Sequence, residues 1–246
     1  MANWQLHPAY QALVPEFHSL DQVFALAGTP VTRDPISDVI RIERHGIGFY
    51  IKRYWNRNHR RGWRDYLRHP RVQREWENLA RFAAWHIPTA SVVANGLERR
   101  QWGFVRGAMI TREIASTESL ATLAERADPR FDQPGWVARI SRQVADITRT
   151  LHRQRFAHND LKWRNLLVDH NDIVYLIDCP TGTFWRGPFL QHRIAKDLAC
   201  LDKLGRRHLS SAQRLAFYRH YRGNAPLTAR HRRQLAKVRD YFTGRD

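Results

Sequence analysis

His158-Asn159-Asp160-Leu161-Lys162-Trp163-Arg164-Asn165-Leu166-Leu167-Val168, with Ile177-Asp178 a short way on, is the stretch from which the fold is read. It sets an Asp, a Lys and an Asn within six residues, Asp160 to Asn165, between apolar segments. A second acid, Asp178, follows eighteen residues after the first. Leu166–Val168 and Ile173–Ile177 read as two short strands, and Asp169-His170-Asn171-Asp172 as the turn joining them. A hairpin of that length returns Asp178 to the loop holding Asp160 and Asn165. A carboxylate, an amide oxygen and a second carboxylate then converge as a hard divalent cation requires. Phosphoryl transfer asks for this set: oxygen ligands for Mg²⁺, a cation for the γ-phosphate, and an acceptor for the proton of the attacking hydroxyl. The bland alternative, a polar Asx-turn loop before a strand, needs three separate spacings to agree by accident.

These residues carry a resemblance. The pattern H-x-D-x-K-x-x-N resembles the catalytic loop of the protein-kinase-like superfamily, with Asn159 where most protein kinases have Arg. In more detail, H-x-D-L-K-x-x-N-L-L with a later I-D is similar to the lipopolysaccharide core kinases, the WaaP/Kdo kinase group with its InaA-like members. The likeness covers roughly Asp38 to Leu204. It implies an α+β, bilobal protein-kinase-like fold. A small β-rich N-lobe with one main helix would span residues 1–114, and a mainly helical C-lobe residues 115–246. It also implies ATP and Mg²⁺ as cofactors. Asp160 would take the hydroxyl proton, Lys162 would offset charge on the moving phosphoryl group, and Asn165 and Asp178 would hold the metal.

Composition bounds the reading. The 246 residues suit one large domain or two small lobes sharing a cleft. No apolar run approaches the ~20 residues of a membrane span. Met1-Ala2-Asn3-Trp4-Gln5 lacks the charged start and apolar core of a secretory signal. Two cysteines, Cys179 and Cys200, make neither a metal pattern nor a disulfide framework, which favours a reducing cytoplasm. The net charge is +18, from 41 Lys and Arg against 23 Asp and Glu. Such an excess favours polyanionic partners, whether nucleic acid, an anionic membrane face or a phosphorylated glycolipid.

Toward the N-terminus, Leu13, Phe17, Leu20, Val23, Phe24 and Leu26 read as cover for one side of a lobe, with Gly28-Thr29-Pro30 ending the segment. Val39–Glu43 and Ile47–Tyr54 read as a hairpin turning at Arg44-His45-Gly46. In its second strand Ile47, Phe49 and Ile51 share one face, and Tyr50, Lys52 and Tyr54 the other. By the resemblance Lys52 matches the kinase strand lysine that holds the α/β-phosphates. No G-x-G-x-x-G precedes it. Asp34-Pro35-Ile36-Ser37-Asp38 stands there instead, so backbone amides near Ser37 are expected to cover the phosphates. Tyr50 stands where protein kinases usually place Ala against the adenine.

From Lys52 to Arg74 there are nine Lys and Arg and one acid, Asp65, with Trp55, Trp63 and Tyr66 interleaved. Such a run suits a membrane interface, a phosphorylated sugar surface or single-stranded nucleic acid, against a merely solvated basic loop. Arg57, Arg60, Arg61, Trp63 and Arg64 are the candidate substrate surface. Pro70 is placed to open a helix whose apolar positions are Val72, Trp76, Leu79, Phe82 and Ala83. On it Glu75 is the candidate partner of Lys52, and Glu77 the rival.

Ser91–Ala94 and Gly103–Thr111 read as further strands, with Asn95–Trp102 turning between them. Thr111-Arg112-Glu113-Ile114 is then the kinase hinge, whose backbone groups bind the adenine edge. Ser116–Asp128 reads as a connecting helix. Trp136, Val137, Ile140, Val144, Ile147 and Leu151 form a helical stripe leading to the catalytic loop. After Asp178 comes Cys179-Pro180-Thr181-Gly182 rather than Phe-Gly, with no A-P-E motif. Only eighteen residues separate Asp178 from Lys196, too few for a regulated activation segment and peptide platform. Asp197 is expected to hold the catalytic-loop backbone. Residues 206–246 carry eleven Lys and Arg against Asp240 and Asp246, interrupted by apolar residues at amphipathic spacing.

The expectation is an ATP-dependent kinase acting on a heptose or Kdo hydroxyl of the lipopolysaccharide inner core, peripheral to the cytoplasmic face of the inner membrane. Its partners would be the core glycolipid and the anionic membrane surface, with nucleic acid disfavoured. The alternatives are a Ser/Thr/Tyr kinase, or a non-catalytic binder of RNA or anionic lipid on a kinase fold.

Overall fold

The computed structural model describes residues 2–56, 69–100 and 103–243. The chain divides into two compact units, one of Met1–Ala84 with Thr89–Ala115 and one of Trp85–Pro88 with Ser116–Asp246.

The first unit is built on a six-stranded antiparallel sheet. Its strands are β1 (Ala2–Leu6), β2 (Thr29–Asp34), β3 (Ser37–Arg44), β4 (Ile47–Trp55), β5 (Val92–Arg100) and β6 (Gly103–Arg112), in the order β1-β5-β6-β4-β3-β2. The β3–β4 hairpin forms with Arg44 opposite Ile47, and it sets Lys52 opposite Val39 and Met109 in mid-sheet. Alternation decides the faces: Phe49 and Ile51 point into a core with Leu13, Phe17, Leu20, Val23, Ile40, Ile42 and Ile110. Each such side chain contributes about 1.5–3 kcal/mol by leaving water. The N-terminal segment therefore does cover one face, as two short helices, α1 (Val14–Phe17) and α2 (Leu20–Ala25).

Three local expectations are corrected here. Residues 2–6 form an edge strand, and 29–34 continue as strand rather than ending at Pro30. Asn95-Gly96 does not open a turn, because β5 runs on to Arg100. Gly96 is needed in that strand: a Cβ would sit 2.0 Å from the Asn3 carbonyl oxygen of β1. The glycine thus marks close approach of a neighbouring backbone, not a bend. In the helix α3 (Arg71–Ala84), the buried positions are Val72, Glu75, Asn78, Leu79 and Phe82. The face is rotated from the expected stripe, with Trp76 only half-buried and Ala83 exposed.

The second unit is mainly helical. It contains α4 (Leu120–Glu125), α5 (Pro134–Arg153), α6 (Gly187–His208), α7 (Ser211–Tyr221) and α8 (Ala229–Arg239). Residues 116–128 supply a short strand, β7 (Glu118–Ser119), before α4, whose first turn Ser119 caps by accepting from the Thr122 N–H at 3.0 Å. Trp136, Val137, Ile140, Val144, Ile147 and Leu151 are all buried along α5, the face their spacing predicts. The C-terminal helices pack through Tyr218, Tyr221 and Val238 onto Ile194, Leu198 and Ala145, while Leu215 stays exposed. Small strands frame the loop of interest. β8 (Phe156–Ala157) pairs with β11 (Thr183–Phe184), and β9 (Leu166–Val168) lies between β10 (Val174–Leu176) and β7. No helix among the described residues is long and apolar enough to cross a membrane.

Candidate active site

In the first unit, the Lys52 ammonium meets Glu75 Oε1 at 2.8 Å. Helix α3 carries Glu75 inward, where its side chain is only 2% exposed. A carboxylate so buried needs full pairing, and Tyr54 completes it by donating from its hydroxyl to Glu75 Oε2 at 2.9 Å. Burial, then the charge of Glu75, push the Tyr54 phenol well above its ordinary value, so it remains a donor. Glu77 is engaged instead by Gln73 and Arg81. Tyr54 was missed as a member of this group, although it lies two residues beyond Lys52 on the same strand face.

Ser37 begins β3 directly after the Pro35-Ile36 turn and stands opposite Tyr54, one strand position pair from Lys52. At the end of β6, Thr111 is buried. The Arg112 N–H donates to Ser91 and that of Glu113 to Gly48 O at 2.9 Å. Those two backbone donors are thus committed inside the first unit. The Glu113 side chain accepts from Arg41 through Nε and Nη2 and from the Tyr50 hydroxyl at 3.1 Å. Arg41 chiefly holds Glu113 below the usual carboxylate range. A Cβ at Gly48 would fall 1.7 Å from Glu113 Oε2, so a side chain there would displace the Glu113 carboxylate. Ile114 follows as the next residue of the segment. Arg57, Arg60, Arg61, Trp63 and Arg64 lie outside the described residues.

In the second unit, Leu161 and Trp163 are buried, and Trp163 stacks on Phe131 with 5.8 Å between centroids. The residues that alternate with them in sequence, Asp160, Lys162 and Arg164, keep their side chains 28%, 44% and 60% exposed. Apolar anchors therefore hold a polar face outward. Asp160 Oδ1 meets Lys162 Nζ at 2.6 Å, and Oδ2 accepts from Arg164 Nη2 at 3.0 Å. Arg164 went unremarked in the sequence, though an i,i+4 spacing from an acid was its signal.

Asn165 is buried, and its Nδ2 donates to the Asp160 carbonyl at 2.9 Å. That commits the amide nitrogen and leaves the oxygen as the atom the side chain offers. The Ile177 N–H donates to the Asn165 carbonyl at 3.0 Å, continuing the β9–β10 register of Leu166 opposite Leu176. Asp178 is the next residue, so the hairpin returns it to Asn165 as its length predicts. Asp169 builds the turn, accepting from the N–H groups of Asn171 and Ile173. Asp178 itself takes a φ of +59°, a left-handed conformation uncommon outside glycine. An amide oxygen and a carboxylate are hard donors of the kind Mg²⁺ takes alongside substrate phosphates, so the residues present fit that ion.

Asp197 underlies the loop. Its two oxygens accept from the backbone N–H groups of His158 and Asn159, each at 2.8 Å. His152 contacts the same carboxylate at 3.3 Å and the Tyr221 hydroxyl at 2.8 Å. His158 is fully buried, and burial pushes its imidazole below its ordinary value against the pull of Asp197, Asp178 and Asp160. An open apolar pocket elsewhere in this unit touches the loop only through Trp163.

The lipopolysaccharide kinase (Kdo/WaaP) family matches residues 31–221. The solved structure of WaaP in complex with acyl carrier protein superposes with a TM-score of 0.75 at 22% identity, over 97% of each chain. The fold is thus α+β and kinase-like. No curated protein matches the chain significantly.

Proposed function

The chain belongs to the lipopolysaccharide kinase (Kdo/WaaP) family and is a phosphotransferase that uses ATP, and on that premise we propose that it phosphorylates a heptose or Kdo hydroxyl of the lipopolysaccharide inner core. The observation that carries this reading is the cluster of Asp160, Lys162 and Asn165 with Asp178 returned to it by the β9–β10 hairpin.

Asp160 orients the acceptor hydroxyl and takes its proton as the oxygen attacks the γ-phosphorus. The new O–P bond forms as the bond to the bridging oxygen breaks and ADP leaves. Lys162, on the same carboxylate, offsets charge on the phosphoryl oxygens in flight. Lys52, fixed by Glu75 and Tyr54, holds the α/β-phosphates, with Ser37 at the neighbouring strand start. Asn165 and Asp178 would hold Mg²⁺, which when bound neutralises β- and γ-phosphate charge. The adenine edge would be met by backbone groups of residues 111–114, as the family resemblance implies. Almost all the catalysis is positioning and electrostatics.

A net charge of +18 supports work on an anionic glycolipid at the cytoplasmic face of the inner membrane. The complex formed by WaaP makes acyl carrier protein a further partner to test. Mass spectrometry of lipopolysaccharide from a strain lacking this chain tests the function. Loss of one core phosphate, restored by the wild-type protein, is expected. An unchanged phosphorylation pattern overturns the reading.

A further inference from the structure

Four guanidiniums and no carboxylate border one pocket of the second unit. Arg149, Arg153, Arg222 and Arg230 stand around an open space of about 330 Å³, where the C-terminal ends of α5 and α7 meet α6 and the start of α8. None of its lining residues is acidic. Arg149 is already engaged: Asp146 accepts from its Nη2, and the His220 carbonyl from its Nη1 at 3.3 Å. Arg153, Arg222 and Arg230 have no acidic partner among the described residues. Elsewhere in this unit arginines share acids, Arg126 and Arg130 on Asp128, and Arg206 and Arg214 on Asp202.

The neutral groups of the pocket are also set to donate. Gln234 Oε1 accepts from the Tyr218 hydroxyl at 2.8 Å, which leaves the N–H groups of Nε2 as what this amide offers. His231 Nδ1 accepts from the Thr228 N–H at 3.3 Å, so its proton sits on Nε2. The unspent groups are thus predominantly N–H donors. Arg153 ends α5 and Arg222 follows α7, positions where a cation suits the helix dipole. Arg230 runs against that preference. It stands second in α8, at the positive end, with no acid in that turn. Helix and side chains there add to one positive field, which a concave wall focuses. On a chain of net charge +18, a chance grouping of solvated arginines is the competing reading. It covers Arg153 and Arg222, but not Arg230 or the loss of both neutral acceptors.

Three cations exceed what a single carboxylate neutralises. A phosphate monoester carries close to two negative charges at pH 7 and three strong acceptor oxygens, and a guanidinium fork takes them bidentately. We propose that this pocket binds a phosphate dianion, free or as the monoester of a lipid headgroup. It is a second site, since none of Asp160, Lys162, Asn165 and Asp178 lines it.

The test follows thermal unfolding of the purified full-length protein in potassium phosphate, chloride and acetate at equal ionic strength. Phosphate at about ten times its dissociation constant should raise the wild-type midpoint by about 3–6 °C over chloride, and acetate should not. Arg153→Gln combined with Arg230→Gln should lose that shift. In chloride the double variant should melt no lower than wild type, because two mutually repelling charges are gone. A shift that survives in the double variant belongs to another site and overturns the proposal. So does an equal response to acetate, or none to phosphate. A double variant that melts lower in chloride shows arginines that hold the fold, and overturns it too. Flotation with vesicles then separates the sources. Severalfold greater retention on phosphatidic acid than on phosphatidylglycerol, lost in the double variant, assigns the headgroup monoester. Equal retention on the two lipids assigns a soluble phosphate.

Discussion

Asn159 Nδ2 donates to the Thr181 carbonyl oxygen at 2.8 Å, fastening the segment after Asp178 to the catalytic loop. Thr181 Oγ1 returns a bond to the His158 carbonyl at 3.3 Å, and β11 pairs with β8 just beyond. Where most protein kinases place an Arg, this chain has an amide that binds backbone directly. The segment is held without any added phosphate. Asn159 takes a φ of +66°, which glycine also adopts. Asn159→Gly therefore removes the tie and keeps the backbone. It should lower stability by about 0.5–1.5 kcal/mol per bond lost and cut kcat by roughly an order of magnitude through misplacement. Chemical denaturation and steady-state kinetics check this. A glycine variant with full kcat would show the tie to be structural only.

Tyr54 bears on the nucleotide. With its hydroxyl gone, Glu75 Oε2 loses its donor in a buried setting, at a cost of about 1–3 kcal/mol. Tyr54→Phe should raise the KM for ATP several-fold, because Lys52 is aimed by Glu75. Glu75→Ala should be harsher, since breaking a buried pair costs about 3–5 kcal/mol. If Tyr54→Phe melts earlier yet binds ATP as before, the phenol serves packing alone.

Asp128 sets part of the acid limit of the second unit. Its carboxylate accepts from Arg130 and Arg126, and Arg130 chiefly holds it well below the usual range. A carboxylate lowered in the folded state contributes stability that is fully present above its unfolded value near 3.8. That contribution is lost as pH falls below this value toward the folded one. The urea midpoint should therefore drop more steeply below pH ~4 for wild type than for Asp128→Asn. Parallel curves for the two proteins would contradict the assignment.

Gly96 tests the strand order. A methyl there would strike the Asn3 carbonyl at 2.0 Å, so Gly96→Ala should destabilise by about 1–3 kcal/mol and expose the amides of residues 2–6 to exchange. Deleting residues 1–6 as well should make the substitution nearly neutral. Full penalty in the truncated chain would place the clash elsewhere.

Much of this was legible in the sequence, for physical reasons. Spacing alone fixes which residues a two-strand hairpin returns, so Asp178 could be placed beside Asn165 in advance. Helical periodicity marked the buried face of α5 because that face is mostly apolar, with Thr148 and His152 its polar members. On α3 it placed Val72, Leu79 and Phe82 but not Trp76 and Ala83, because Asn78 turns inward beside Glu75, which Lys52 draws in from a distant strand. Asn95-Gly96 misled because a dipeptide cannot reveal that β1 passes over it. Arg164 escaped notice because its significance depends on which oxygen of Asp160 it occupies.

The most direct test of the whole account is phosphate transfer from ATP to purified lipopolysaccharide core oligosaccharide by wild type and Asp160→Asn side by side. A general base contributes about 10²–10⁴-fold, so wild type should add one phosphate per acceptor and Asp160→Asn should be slower by at least about 100-fold, with folding unchanged. Equal turnover by the two proteins would contradict Asp160 as the proton acceptor and, with it, the mechanism built on this loop.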